Sequence, residues 1–180
     1  MWLTPHPQPT DMGHDTPPPA AAIVWPQHYR PDNTAVHVIN ERFIAAPPEQ
    51  IWAWLVRAPL WPTWYDNASD LHMVGQAWCD LALGVRFTWQ TFGVAIASEV
   101  QEFVPHTRLA WNARGFGVDA YHAWLIEPQG QGCRVLTEET QHGAGATLLD
   151  KLLPHRMSDG HDLWLKSLDI QATNGWPPDL

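Results

Sequence analysis

Two residues stand out by type and placement: His122 and Glu139, both within AYHAWLIEPQGQGCRVLTEET. An imidazole beside a carboxylate in an apolar wall has three uses. It can orient a ligand's hydroxyl or carbonyl, act as general acid and base, or form a mutually satisfied structural pair. Pairing with Glu139 favours the imidazolium, whereas burial opposes it. The structural pair is the simplest of the three, and the sequence leaves all three open. Other chemistry is less supported. Ten histidines invite a metal reading, but no HExxH or paired Cys/His spacing exists, so no metal site is expected. His155 and His161 are off one helical face and are expected at solvent or at a cavity rim. Cys79 has no nearby base in sequence. GFGVDA (115–120) is a hairpin loop with no helix after it, hence not a phosphate loop. In TEET (137–140), Glu138 falls on the solvent face.

The neighbourhood of His122 and Glu139 depends on hairpin register. VRFTWQTFGVAIASEV turns at Phe92-Gly93, so Thr91 pairs with Val94. Val85, Phe87 and Trp89 then lie opposite Val100, Ser98 and Ile96 on an apolar face. Arg86, Thr88, Gln90, Ala95, Ala97, Glu99 and Gln101 line the wet face. A turn at Pro105-His106 puts Leu109 and Trp111 on the apolar side. The Gly115–Gly117 loop carries that phase to His122, Trp124 and Ile126, and the PQGQGC turn carries it to Val135, Thr137 and Glu139. His122 is thereby expected between Trp111 and Glu139, at cross-strand Cβ separations of about 4.5–5.5 Å.

Upstream, AVHVINERFIA (35–45) alternates as a first strand. Pro47-Pro48-Glu49 then opens a short helix whose face is Ile51, Trp52, Leu55 and Val56. Pro59 ends it, and LWPTWYDNA forms a second short helix or turn. Four tryptophans (Trp52, Trp54, Trp61, Trp64) crowd this stretch. They either plug one end of the core or wall a pocket. Trp52 is expected to face the interior, and at least one of Trp61 and Trp64 to edge a cavity. Residues 145–172 are helical in period, with Leu149, Leu153, Met157, Gly160, Trp164 and Leu168 on one stripe, bent or split at Pro154.

Residues 1–34 hold eight prolines and read as an extended or disordered arm, in which Ile23-Val24-Trp25 is a possible docking patch. Residues 35–172 form the domain, and 173–180 a tail. A net charge of −9 argues against nucleic acid or anionic membrane as partner. Apolar runs are too short to span a bilayer, and the N-terminus lacks a signal-peptide pattern. Two cysteines make no disulfide framework, so a reduced cytoplasmic setting is expected.

The element order (strand, two short helices, about six antiparallel strands, long C-terminal helix) resembles the helix-grip fold of the START-like, Bet v 1-like or SRPBCC superfamily, in its polyketide cyclase/dehydrase-like branch. FIAAPPEQIWAWLVRAPLWPTWY, EFVPHTRLAW, AWLIEPQGQGCRVLTEET and the terminal helix carry the resemblance over 35–172. It implies an α+β fold, a curved antiparallel sheet wrapped around the long C-terminal helix, with a cavity between them for an apolar small molecule. With the registers above, the ligand-facing set is Trp61, Trp64, Phe87, Trp89, Ile96, Ser98, Trp111, His122, Trp124, Thr137, Glu139, Met157 and Trp164. No cofactor is implied. Members differ in function, so fold does not fix activity. The mostly apolar lining favours binding or carrying a small apolar or aromatic molecule. The alternatives are a polyketide cyclase/dehydratase-like enzyme using His122 and Glu139 as acid and base, and a protein-interaction adaptor.

Overall fold

Two-residue turns with positive backbone φ set most of the sheet. Phe92 (φ 52°) and Gly93 (φ 68°) close the hairpin of β3 (Arg86–Thr91) and β4 (Val94–Val104), with Thr91 opposite Val94. Such left-handed central residues match the twist of the flanking strands. Between β4 and β5 (Arg108–Gly115) two irregularities cancel. The turn spans Pro105–Thr107, one residue longer than the sequence indicates, and pairs Val104 with Arg108. A bulge at Gln101 then takes up the extra residue, so Val100 again faces Trp111. Phe116-Gly117 leads into β6 (Val118–Gln129) and Gly130-Gln131 into β7 (Gly132–His142). Trp111 pairs with His122, and His122 with Glu139.

The computed structural model describes residues 22–179. The expectation of an extended or disordered arm falls for residues 1–21 outside the described residues. β1 (Val36–Ile44) pairs with β7, and β2 (Ala68–Met73) with β3, giving one antiparallel sheet in the order β1-β7-β6-β5-β4-β3-β2. This is the α+β helix-grip architecture: a curved sheet holding a long C-terminal helix. α1 (Pro48–Val56) starts with proline where a missing N–H costs no bond. A 3₁₀ turn at Ala58–Leu60 leads directly into α2 (Trp61–Trp64). Pro154 splits the C-terminal helical stretch into α3 (Ala144–Leu152) and α4 (Arg156–Asn174). α4 buries Gly160, His161, Trp164, Leu165, Leu168 and Ala172, whereas α3 buries only Ala146. Leu153, expected on the buried stripe, is exposed at the break. The far end of α4 is tied to α1: Trp54 Nε1 donates to the Gly175 carbonyl at 2.8 Å, and Arg57 donates to that of Pro178. No helix among the described residues is long and apolar enough to cross a membrane.

Residues 22–34 are packed rather than extended away from the domain. They form two 3₁₀ turns and lie across the convex face of the sheet. Tyr29 is buried and stacks on Tyr121 at 5.3 Å; Ile23 and Trp25 pack beside it. This strap explains why β6 is buried on both faces. Polar bonds clamp it: Tyr29 donates to Asp119 at 2.7 Å, Arg114 to Asp119 at 2.9 Å, and the Thr140 hydroxyl to the Tyr29 carbonyl at 2.8 Å. Burial alone would raise the Asp119 pKa, but hydrogen bonds from Tyr29, Arg114 and His28 outweigh it and hold the carboxyl below its ordinary value. A depressed carboxyl contributes stability above its unfolded pKa and loses it as pH falls through the folded one. The strap should therefore stay docked at neutral pH and loosen only below the ordinary carboxylate range of about 4. An NMR titration of the Tyr29 ring, shielded by Tyr121, reads this directly. Asp119→Asn should abolish the acid step; an unchanged step in that variant would assign it elsewhere.

Candidate ligand-binding site

His122 and Glu139 stand side by side on the concave face, as their strand pairing requires. His122 Nδ1 is 3.0 Å from Glu139 Oε2, and its Nε2 is 2.7 Å from Thr137 Oγ1. A third group joins them from α4: His161 Nε2 lies 3.3 Å from the same Oε2. The other carboxylate oxygen accepts from Gln141 Nε2 at 2.6 Å. An ionised carboxylate can only accept, so the two ring nitrogens facing it carry the protons. Thr137 then donates to the free Nε2 of His122. Burial alone would raise the Glu139 pKa, but the charge and hydrogen bond of His122, seconded by His161, hold it well below the usual carboxylate range. Burial also keeps His122 below the ordinary imidazole value, against the pull of Glu139, with His161 adding to the depression. The cluster is thus a buried carboxylate held between two imidazoles.

His161 corrects the expectation of a solvent or rim position: it is 1% exposed. It shares the inward face of α4 with Met157, Trp164 and Leu168, and Gly160 beside it is buried as the periodicity indicates. One ligand atom each from His122, Glu139 and His161 lies within 4.8 Å of the others. No sequence spacing signals that grouping, because its members come from β6, β7 and α4.

Beside this cluster the sheet and the helices enclose a cavity. Its interior measures about 80 Å³, and the whole recess, mouth included, about 860 Å³. Trp89, Phe92, Val94 and Ile96 line it from the β3–β4 hairpin; Trp111, Ala113, Val118, Ala120, His122, Glu139 and Gln141 line it from β5, β6 and β7. Ala146 and Leu149 of α3, the Leu153-Pro154 break, and Arg156, Met157, His161 and Trp164 of α4 close it. Gly160 has a particular role at this wall. A Cβ there would come within 2.4 Å of the Phe92 ring, so only glycine lets that ring lie against α4. Arg156 holds the same turn through the Phe92 carbonyl.

Of the ligand-facing set expected from the sequence, Trp89, Ile96, Trp111, His122, Glu139, Met157 and Trp164 line this cavity. Trp61, Trp64, Phe87, Ser98, Trp124 and Thr137 stand behind its wall. Trp61 is fully buried against Phe87, Trp89, Trp111 and Trp164, with its N–H on the Leu55 carbonyl at 3.1 Å. Trp64 packs on Trp54 and Tyr65. These tryptophans plug the core between α1, α2 and α4, with Trp61 directly behind the cavity-lining Trp89, Trp111 and Trp164. Ser98 accepts from Trp89 Nε1 at 3.2 Å, Thr137 braces His122, and Trp124 stacks on the His122 ring at 5.5 Å. Three cavity-lining residues, Trp111, His161 and Trp164, hold a buried polar atom with no protein partner: two indole Nε1 donors and one imidazole Nδ1.

Residues 35–160 match the family model described as "Polyketide cyclase / dehydrase and lipid transport". A hypothetical protein, jhp0584, from Helicobacter pylori is 33% identical, with a TM-score of 0.78 over 84% of this chain and 96% of that one. The protein TTHA0849 from Thermus thermophilus is 22% identical, with a TM-score of 0.64 over 77% of this chain and 98% of that one. The di-domain ARO/CYC StfQ of the steffimycin biosynthetic pathway shares the fold at 15% identity, with a TM-score of 0.65 over 77% of this chain and 51% of that one. No curated protein matches the chain.

Proposed function

The chain belongs to the polyketide cyclase/dehydrase and lipid transport family, and from that premise we propose that it binds a small, largely apolar molecule bearing one hydroxyl or carbonyl oxygen. The supporting observation is the mismatch between the cavity's walls and their polar atoms. The walls are chiefly Trp, Phe, Val, Ile, Leu and Ala, yet Trp111, His161 and Trp164 present buried atoms without partners. Leaving such a group unpaired costs about 1–3 kcal/mol, which a ligand oxygen at the cluster offsets. A hydroxyl suits the site best, because it can accept from an indole N–H and donate to His161 Nδ1. Size limits the ligand too. An apolar cavity of about 150 Å³ accommodates benzene, and the interior here is about 80 Å³. A ring seated wholly inside therefore requires the lining to shift, and the thin α3 wall is the part least held.

The geometry weighs against proton transfer as the main activity. Both oxygens of Glu139 already accept hydrogen bonds, from Gln141 on one side and from two imidazoles on the other. A general base needs a free lone pair within reach of its substrate. Binding is thus favoured over a cyclase or dehydratase role.

Matched calorimetric titrations with 2-naphthol and naphthalene, in the presence of a chelator, test the reading. Wild type should favour the naphthol by roughly tenfold, the worth of one net hydrogen bond. His161→Phe, which removes the unpaired Nδ1, should bind both with similar affinity. Equal affinity for the two compounds in wild type would sink the oxygen-recognition proposal.

A further inference from the structure

We propose that His122, Glu139 and His161 form a binding site for one divalent transition-metal ion, best suited to zinc, with its fourth position facing the cavity. The site rests on the cavity reading only for that fourth position; the three protein ligands stand without it. Two imidazoles and one carboxylate are a ligand set that zinc accepts, and three protein ligands with an open place are the pattern of reactive or ligand-binding zinc sites. Ligand atoms held at about 2.0–2.1 Å around a tetrahedral ion stand roughly 3.3 Å apart. Here His122 Nδ1 and His161 Nε2 lie 3.0 and 3.3 Å from Glu139 Oε2. Small outward rotations of the side chains would admit the ion between them.

Two of the three ligands also have a fitting outer contact, and the far nitrogen of His161 faces the cavity lining without a protein partner. Metal-binding imidazoles and carboxylates are commonly oriented by a further hydrogen bond on their far side. His122 Nε2 meets Thr137 Oγ1 at 2.7 Å, and Glu139 Oε1 meets Gln141 Nε2 at 2.6 Å. Binding requires lone pairs on His122 Nδ1 and His161 Nε2, so the proton each carries toward Glu139 moves to the other ring nitrogen or leaves to solvent. Charge points the same way. Among the described residues no lysine or arginine bonds to Glu139; Arg156, which also lines the cavity, is turned to the Phe92 carbonyl and ring. A buried carboxylate held only by imidazoles and an amide is costly, and a divalent ion supplies further positive charge.

Cobalt(II) is the probe, because its visible absorption intensifies in a tetrahedral site. Titration of the full chain should give intense bands saturating at one ion per chain and abolished by equimolar zinc. Glu139→Gln and His161→Gln should each lose the bands. Thr137→Val, which leaves all three ligands in place, should weaken the affinity about 10- to 100-fold. If Glu139→Gln does not fold by circular dichroism, His161→Gln and Thr137→Val carry the same decision. Absence of tetrahedral bands in wild type, or bands that survive His161→Gln, would overturn the site and assign any bound cobalt to other histidines. Naphthol binding in chelator is a separate measurement, so the metal site can fail while the cavity reading stands.

Discussion

Trp61→Ala is expected to lower the stability of the chain by about 3–5 kcal/mol, read as a fall in the urea midpoint at unchanged slope. The side chain is wholly buried, and its ring meets Phe87, Trp89, Trp111 and Trp164 at centroid distances of 5.1–5.8 Å. Truncation removes the shared neighbour of four aromatics drawn from β3, β5 and α4. None of them can close the gap without leaving its other contacts. Trp176, 62% exposed, is the internal control: its replacement by alanine should change stability by no more than about 0.5 kcal/mol. Similar losses in the two variants would mean that the aromatic cluster collapses readily onto the space.

A second large effect belongs to Glu139, measured with chelator present. Glu139→Leu removes the acceptor shared by His122 and His161 and also the partner of Gln141. Each stranded donor costs roughly 1–3 kcal/mol, so the variant should lose at least about 3 kcal/mol. Glu139→Gln keeps one oxygen for the two imidazoles, and Gln141 can turn its own amide to accept from the new NH₂. Its loss should stay near 1 kcal/mol, the scale of one net hydrogen bond. If Leu proved as mild as Gln, the carboxylate would be a bystander in the core.

The adjacency of His122 and Glu139 was legible because it depends on turns that the sequence marks. Asparagine-free but glycine-bearing pairs at 92–93 and 116–117 define their own registers. The β4–β5 turn is one residue longer than its sequence indicates and still brings Val100 opposite Trp111, because the longer turn and the bulge at Gln101 have opposite effects. His161 was not legible. Its helix carries apolar groups on enough of its circumference that the period alone does not say which flank of the stripe meets the sheet. Trp61 and Trp64 lie off the cavity lining for a different reason. Periodicity assigns a residue to a face of its helix, but does not say whether that face meets the cavity or the layer of side chains behind it. α1 is tied to the chain after α4, where Trp54 and Arg57 hold residues 175 and 178, and Trp61 of α2 lies behind Trp89, Trp111 and Trp164. The strap at 22–34 illustrates a third limit. Proline-rich composition favours extended backbone, and nothing local announces that Tyr29 has a ring and a carboxylate waiting for it across the sheet.

The break at Pro154 governs how long a guest would stay. α4 is anchored along its length, but α3 buries a single alanine and leans on the β5–β6 turn through Gly145 N–H to the Gly117 carbonyl at 3.1 Å. A wall this lightly held opens locally far more often than the domain unfolds. A guest deep in the recess then leaves during brief openings of that wall, at a rate set by how often the wall opens and by the chance that the guest's contacts break before it recloses. Stiffening α3 would lengthen the residence of every guest by a similar factor, while guests of different affinity would still differ chiefly in how fast they leave.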